Sequence, residues 1–288
     1  MATKPDGKPK YGREKEDEKA EYFDDEETLD EKLSTLATWI QESKHCIFFT
    51  GAGISTSTGI PDFRSGMNTV LETGPGAWEL RDKGLTRKKK TSSTLKAIPS
   101  ATHMGIVELE RSGMVKFVVS QNTDGLHLRS GLDPSKLAEL HGNGNLEKCK
   151  KCGAKYLRDF RTRTSSKVHD HKTGRMCVAP KCTGYLQDSI INFGESLPEE
   201  DLDLAFKHAE KADLCIVMGS SLTVSPANEI PEIVAKRGKP LVIVNLQKTP
   251  LHGQCSLPIH SMCDTVIQKL MSKLQMELKQ WQVLTNSY

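Results

Sequence analysis

Apolar and polar positions along this chain follow two periods that alternate. Over 28–44, Leu29, Leu33, Leu36, Ala37 and Ile40 recur at the spacing of a helix with one buried face. Cys46-Ile47-Phe48-Phe49 follows, a continuous apolar run too short for a helix and read as a buried strand, which Gly51-Ala52-Gly53 breaks. The alternation then repeats: helix over 102–111 and strand over 115–120, helix over 202–211 and strand over 214–218, helix over 230–236 and strand over 241–244. The stretch 264–281 reads as a closing amphipathic helix. Strands that are apolar throughout, alternating with helices, predict an α/β fold: a Rossmann-like parallel sheet with helices on both faces. Polar residues gather just past the strand ends, at Thr50-Gly51, Gln121-Asn122, Gly219-Ser220-Ser221 and Asn245-Leu246-Gln247. In open α/β sheets the ligand crevice lies outside those carboxyl ends.

The stretch 147–187 breaks the alternation. It is rich in Lys, Arg, Thr and Cys and poor in long apolar residues, so it cannot build much of a core alone. Cys149-x2-Cys152 and Cys177-x4-Cys182 have the spacing of a tetrahedral structural zinc site. Each close pair lets one turn aim two thiolates at the same ion, and the metal supplies the missing folding energy. A small zinc-binding domain is therefore expected here, inserted in the larger fold. His169 and His171 lie nearby, but four thiolates already complete the shell and leave no open position for chemistry. Of the remaining cysteines, Cys46 and Cys215 sit in apolar runs and Cys255 and Cys263 are isolated, so a disulfide framework is not expected. A reducing compartment, nucleus or cytoplasm, follows. Residues 1–25 are charged and nearly free of apolar groups and are expected to be a disordered arm, with 280–288 a tail. The acid content of the arm argues against a mitochondrial transit peptide, and no apolar run approaches a bilayer-spanning length.

A chain of 288 residues, 36% of them hydrophobic, holds one large domain or a large and a small one. The formal net charge of +3 gives no strong global pull toward nucleic acid. The local run Arg87-Lys88-Lys89-Lys90 reads as a solvated loop, a nuclear address or an acid-binding patch. With Arg161, Arg163 and Lys167 it would supply a nucleic-acid contact beside another function.

Three segments concentrate polar chemistry. Thr50-Gly51-Ala52-Gly53-Ile54-Ser55-Thr56 follows the first strand, and its glycines allow a tight turn and close approach of backbone to a pyrophosphate. The third glycine of the dehydrogenase fingerprint is replaced by Thr56, and no strand-end acid follows, since Glu72 falls in a loop. Ordinary hydride transfer is therefore disfavoured. Gly59-Ile60-Pro61-Asp62-Phe63-Arg64 offers Arg64 to a phosphate and Asp62 to an amide. Ser120-Gln121-Asn122-Thr123-Asp124-Gly125-Leu126-His127 carries amides and a carboxylate that are expensive to bury without partners. Each segment alone is also compatible with a structured turn.

As an ordered set they are more specific. Gly-Ala-Gly-Ile-Ser, Gly-Ile-Pro-Asp-Phe-Arg, Gln-Asn-x-Asp-Gly-Leu-His, Leu-His-Gly-Asn, the four cysteines, Phe193-Gly194-Glu195, Gly219-Ser220-Ser221 and Val244-Asn245-Leu246 occur in this order. Over about 26–279 the chain resembles the sirtuins (Sir2 family), NAD-dependent protein lysine deacylases. It looks most like the class IV branch of nuclear, chromatin-directed sirtuins, and within it like sirtuin seven and its relatives, through Gly76-Ala77-Trp78, Leu126-His127-Leu128-Arg129-Ser130-Gly131, Val244-Asn245-Leu246-Gln247 and His171-x-Thr-Gly-Arg-x-Cys177.

The resemblance implies that NAD is a consumed co-substrate and that zinc is structural. It divides the chain into a catalytic domain, 26–146 with 188–279, and the insert 147–187. Gly51, Ala52, Gly53, Thr56, Asp62, Phe63, Arg64 and Trp78 would take the pyrophosphate and nicotinamide end. Asn122 and Asp124 would shape the nicotinamide pocket, and Gln121 and His141 would meet its ribose. Gly219, Ser220, Ser221, Asn245, Leu246, Gln247 and Cys263 would hold the adenosine end. His141 would be the general base, deprotonating a ribose hydroxyl after the acyl oxygen has displaced nicotinamide. Phe193-Gly194-Glu195 and 221–224 would sandwich an acyl-lysine peptide, of a histone or other chromatin protein, by strand addition. His103 and His127 would be structural. Two departures stand out. The segment 65–77 is longer than in related chains, with 67–73 inserted, and is expected to cap the nicotinamide site. Gly144-Asn145 stands where relatives carry a bulky apolar residue, which is expected to alter acyl preference. The competing readings are a mono-ADP-ribosyltransferase and a weakly catalytic chromatin scaffold.

Overall fold

The computed structural model describes residues 19–87 and 93–282. Helix α1 (Glu26–Glu42) starts where the Asp25 carboxylate caps the Thr28 amide, two residues before the expected start, and buries Leu29, Leu33, Leu36, Ala37 and Ile40. It stops at Ser43 because Asp213 captures the next turn, accepting from the Ser43 hydroxyl and from the Lys44 and His45 amides. The chain then enters β1 (Cys46–Thr50), every residue of which is buried.

Five more strands join β1: β2 (Val115–Ser120), β3 (Leu137–Glu139), β8 (Leu214–Met218), β9 (Leu241–Val244) and β10 (Leu257–Ile259). All pairings are parallel, in the order β10-β9-β8-β1-β2-β3. The chain thus builds outward from β1 in one direction, then crosses back and builds in the other, which is the doubly wound order with its switch point between β1 and β8. Helices cover both faces. Core residues of α1, α3 (Ala101–Arg111) and α7 (Cys263–Lys273) pack on one side; those of α5 (Glu199–Lys211) and α6 (Glu229–Lys236) pack on the other. Cys46 and Cys215 are fully buried inside this sheet, as small apolar side chains.

The insert lies between β3 and α5. It is a four-stranded antiparallel sheet of order β5-β4-β7-β6: β4 (Leu146–Cys149), β5 (Lys155–Leu157), β6 (Lys172–Met176) and β7 (Tyr185–Asp188).

Three expectations need correction. The disordered arm was expected to reach Asp25. Residues 1–18 lie outside the described residues, but 19–25 are docked: the Tyr22 amide donates to the Leu246 carbonyl, Asp24 N–H to the His260 carbonyl, and Gln247 Nε2 to the Lys19 carbonyl. The closing helix was expected to run to Trp281. It ends at Lys273, and Gln275 takes a left-handed φ of 56°, after which Met276 and Leu278 pack on the core as irregular chain. Helix α2 (Ala77–Asp82) and strands β3 and β10 were not anticipated, being too short to show a period. Among the described residues no helix is long and apolar enough to cross a membrane.

Candidate functional site

The switch point brings two glycine-rich loops into contact, Gly51-Ala52-Gly53 after β1 and Gly219-Ser220-Ser221 after β8. The Gly53 amide donates to the Gly219 carbonyl at 2.8 Å. A Cβ added to Gly53 would stand 2.6 Å from the Gly219 Cα, and Gly219 itself has a φ of +64°, so neither position accepts a side chain. The bare backbone that results forms the floor of a cleft of about 1260 Å³. Every residue assigned above to NAD lines this cleft: Gly51, Ala52, Gly53, Thr56, Asp62, Phe63, Arg64, Trp78, Gln121, Asn122, Asp124, His141, Gly219, Ser220, Ser221, Asn245, Leu246, Gln247 and Cys263.

Past β2 the polar side chains are fixed by one another. Asn122 Nδ2 donates to the Gly51 carbonyl at 3.0 Å; the Asp124 carboxylate accepts from the Ser55 hydroxyl at 2.7 Å and from the Leu126 amide at 2.9 Å. The Ser220 hydroxyl donates to Gln121 Oε1 at 2.7 Å, tying the β2 end to the β8 loop. His141 stands in the cleft wall with Nδ1 3.0 Å from the Gln121 carbonyl. A carbonyl only accepts, so Nδ1 carries the proton and Nε2 keeps its lone pair. Burial lowers the pKa of His141, against the pull of that carbonyl, so the ring is neutral at neutral pH.

The far wall is aromatic. Phe63 and Trp78 lie 4.8 Å apart between ring centres, Trp78 and Phe193 lie 5.2 Å apart, and the Arg64 guanidinium sits 4.2 Å over Trp78. The long 65–77 segment leaves this arrangement intact. Its base is closed by Gly76 N–H to the Ser65 carbonyl, Ala77 N–H to the Asp62 carbonyl and Trp78 N–H to the Phe63 carbonyl, and of the inserted residues 67–73 Leu71 lines the cleft. Asp62 Oδ2 accepts from the Ser65 hydroxyl at 2.6 Å, while Oδ1 is buried without a partner among the described residues. Burial raises the pKa of Asp62. An unmatched acceptor in the wall of a cleft that also holds a bare glycine floor fits an NAD molecule, whose carboxamide supplies N–H donors.

Behind His141, Glu139 is a residue that sequence reasoning passed over. Both its oxygens accept from Asn143 Nδ2, at 2.9 and 3.1 Å, and burial lifts its carboxyl to about 8. The signal was legible: an acid inside the apolar run Leu137-Ala138-Glu139-Leu140. Its folded pKa is raised above the ordinary 4.5, so between these values the unfolded chain binds fewer protons and stability falls as pH rises. The Tm is expected to drop between pH 5 and 8, and Glu139→Gln to flatten that slope in thermal melts. An unchanged slope in the variant would remove Glu139 as its source.

The insert meets the cleft through His141's neighbours. Gly142, at φ +76°, packs so closely that an added Cβ would lie 1.8 Å from the Ser189 carbonyl. Asn143 N–H donates to the Ser189 hydroxyl at 3.0 Å. His171 Nε2 is 2.8 Å from Glu195 and its Nδ1 3.2 Å from Asp188. Burial disfavours charge on His171, but the two carboxylates outweigh it and raise its pKa. Phe193, Gly194, Glu195, Ser221 and Val224 all line the cleft.

The sulfurs of Cys149, Cys152, Cys177 and Cys182 all lie within 4.8 Å of one another; Cys149–Cys182 and Cys152–Cys177 are each 3.6 Å apart. A disulfide is much shorter, whereas a tetrahedron of zinc–sulfur bonds of about 2.3 Å spaces its corners by about 3.8 Å. Amides of Cys152 and Lys151 donate to the Cys149 sulfur and lower its pKa to about 6. The quartet therefore fits a structural zinc ion. His169 and His171 stay outside it, as expected, and pair with Glu195.

Other expectations fare differently. Asn145 is buried with its amide on the Phe160 carbonyl at 2.9 Å, and neither Gly144 nor Asn145 lines the cleft. Arg163 is engaged within the insert, by the Ser165 and Lys167 carbonyls and Asp188. Arg87 donates to the Thr73 and Pro75 carbonyls; Lys88, Lys89 and Lys90 lie outside the described residues. His103 and His127 form a buried edge-to-face pair behind the glycine loop, both lowered to about 3 by burial, in keeping with a structural role.

A model of the Sir2 family matches residues 51–226. The NAD-dependent protein deacetylase SRT1 of Arabidopsis thaliana is 46% identical over 90% of this chain and 52% of its own length. The NAD-dependent protein deacetylase sirtuin-7 of Homo sapiens is 38% identical over 91% of this chain and 65% of its own. The chain thus spans about half the length of SRT1 and less than two thirds of sirtuin-7. A solved structure described as Sir2-p53 peptide-NAD+ superposes with a TM-score of 0.61 at 30% identity, covering 83% of this chain and 97% of that one.

Proposed function

The chain belongs to the Sir2 family, and from that premise we propose that it is an NAD-dependent protein lysine deacetylase acting in the nucleus on acyl-lysine of histones or other chromatin proteins. Nicotinamide, O-acyl-ADP-ribose and the free lysine are its products. The observation that carries the reading is the tautomer of His141. Its Nδ1–H is spent on the Gln121 carbonyl and the ring is neutral, so Nε2 faces the cleft as a base, able to take a proton from a ribose hydroxyl. Asp62 and Asn122 would orient the nicotinamide carboxamide, the glycine floor would admit the pyrophosphate, and the Phe63–Trp78–Phe193 wall would exclude water. The names of SRT1 and sirtuin-7 and the NAD in the Sir2 structure support the same reading.

The peptide side supports basic substrates. Glu195, Glu199 and Asp203 line one side of the cleft, and Glu199 and Asp203 are exposed there. A lysine-rich tail on either side of the acyl-lysine would meet complementary charge.

The test incubates the full chain with NAD and acetyl-lysine peptides and follows nicotinamide and O-acetyl-ADP-ribose. Peptide-dependent release of both is expected, faster with basic than with acidic flanks, the difference shrinking with salt. Nicotinamide release with ADP-ribose on protein and no deacetylated peptide would replace the deacetylase with a transferase. No release with any acyl-lysine would leave the scaffold reading in its place.

A further inference from the structure

The residues that the 65–77 segment adds carry an anchor of their own. Glu21, in the docked segment 19–25, reaches the tip of the loop: Oε1 accepts from the Thr69 hydroxyl at 2.6 Å and Oε2 from the Val70 amide at 3.0 Å. Thr69 Oγ1 accepts in turn from the Leu71 amide at 3.2 Å, and Leu71 lines the cleft. Inside the loop, backbone bonds close two short turns, Thr69 N–H to the Gly66 carbonyl and Gly74 N–H to the Leu71 carbonyl. Arg87 holds the other leg, at Thr73 and Pro75.

The same short segment is fixed at the opposite end of the cleft. The Tyr22 amide bonds to Leu246, the Lys19 carbonyl to Gln247, and the Tyr22 ring packs on His260 at 5.4 Å with Lys248 over its face. Leu246 and Gln247 belong to the cleft wall beside Asn245. Lys19 also pairs with Glu79, one residue past Trp78. Residues 19–22 therefore run from the β9 end of the cleft to the loop over the aromatic wall, and Glu21 is the side chain that joins the two.

We propose that Glu21 is a positioning residue for NAD binding, a strap that holds the 66–71 tip, and with it Leu71, in the conformation the co-substrate meets. The proposal rests on the reading of the cleft as the NAD site. Glu21 itself lines the cleft, but both its oxygens are engaged by Thr69 and Val70, and it is through these that it acts. Without it the tip must be ordered when NAD enters, and that ordering weakens binding while the chemistry at His141, on the far side of the cleft, is untouched.

Glu21→Ala is therefore expected to raise the KM for NAD about three- to tenfold, with kcat changed by less than about twofold. Glu21→Gln keeps one of the two acceptors and should fall between. Hydrogen exchange at the Val70 amide should lose its protection in Glu21→Ala. Thr69→Val, a change confined to the loop, should reproduce most of the KM shift and add little to Glu21→Ala in the double variant. An unchanged KM in both single variants, or a kcat loss as large as the KM rise, would overturn the proposal. So would unaltered Val70 exchange. Absence of NAD binding and turnover in the wild type would instead sink the reading of the cleft, and the Val70 exchange would then decide the strap alone.

Discussion

His141→Ala is expected to slow peptide deacetylation by about a hundred- to ten-thousand-fold, the range of a lost general base, with little change in NAD affinity or Tm. The reason lies in how the ring is held. Among the described residues the ring's one hydrogen bond to the protein is from Nδ1 to the Gln121 carbonyl, a bond that sets the tautomer and adds little to folding. The cleft floor that would take NAD comes from the glycine loops and from 245–247 just past β9, which the substitution does not touch. The sign of the pH dependence follows from the same burial. The base form of His141 is the neutral one, and burial lowers its pKa below the ordinary 6.5. The wild-type rate should therefore stay level through neutral pH and fall only as pH drops below that value. Initial rates across pH, with calorimetric NAD binding and thermal melts for both proteins, separate the roles. An acid limb centred above 6.5, or a variant that retains most of its rate, would take the base assignment away from His141.

How much of this was legible in the sequence depended on what each residue had to signal. The strands β1, β8 and β9 were readable because they are buried throughout, which forces apolar runs such as Leu214–Met218, and β2 departs from this only at the half-buried Lys116. The cleft residues were readable only as an ordered set: each segment alone also fits a structured turn, and it was the resemblance to the sirtuins that picked out the residues, all of which line one cavity. The zinc quartet was readable because ligand geometry fixes residue type and spacing. Strand β3 escaped because it is an edge strand of three residues, Leu137–Glu139. The docking of 19–25 escaped because it rests on backbone bonds and on scattered side chains, Lys19, Glu21, Tyr22 and Asp24, and in a run of charges none of these has a pattern that sets it apart. The place of Asn145 was hidden because it follows the His141 loop in sequence, whereas its amide is turned toward the Phe160 carbonyl. Glu139 was missed although its signal was present, since an acid in an apolar run is conspicuous once burial is taken seriously.

Removing the metal should have the largest structural effect. Stripping zinc with a strong chelator, or the pair Cys149→Ser and Cys177→Ser, is expected to unfold 146–188 while the six-stranded sheet stays folded. The apolar core of the insert consists of Cys149, Cys177 and Leu186, with Ala154, Tyr156, Ala179 and Cys182 partly covering it, while Leu157, Met176 and Val178 face solvent. That burial cannot offset the entropy of ordering such a segment, at about 1–2 kcal/mol per residue, whereas zinc held by thiolates contributes about 10–16 kcal/mol. The chief rival is the buried Glu147 carboxylate between Arg158 and Arg175. An ion pair of this kind gives back little more than its own desolvation, so it keeps the fold specific without sustaining it. The damage should then reach the cleft, because Ser189 supports the His141 loop and His171 and Asp188 brace Glu195. Peptide deacetylation should fall to background, and hydrogen exchange should rise across β4 and β7 while β1 and β8 stay protected. Metal analysis should find one zinc per chain before stripping. Full protection of β4 and β7 in metal-free protein would refute the clamp, and loss of protection in β1 at the same step would mean that the insert and the sheet fold as one unit.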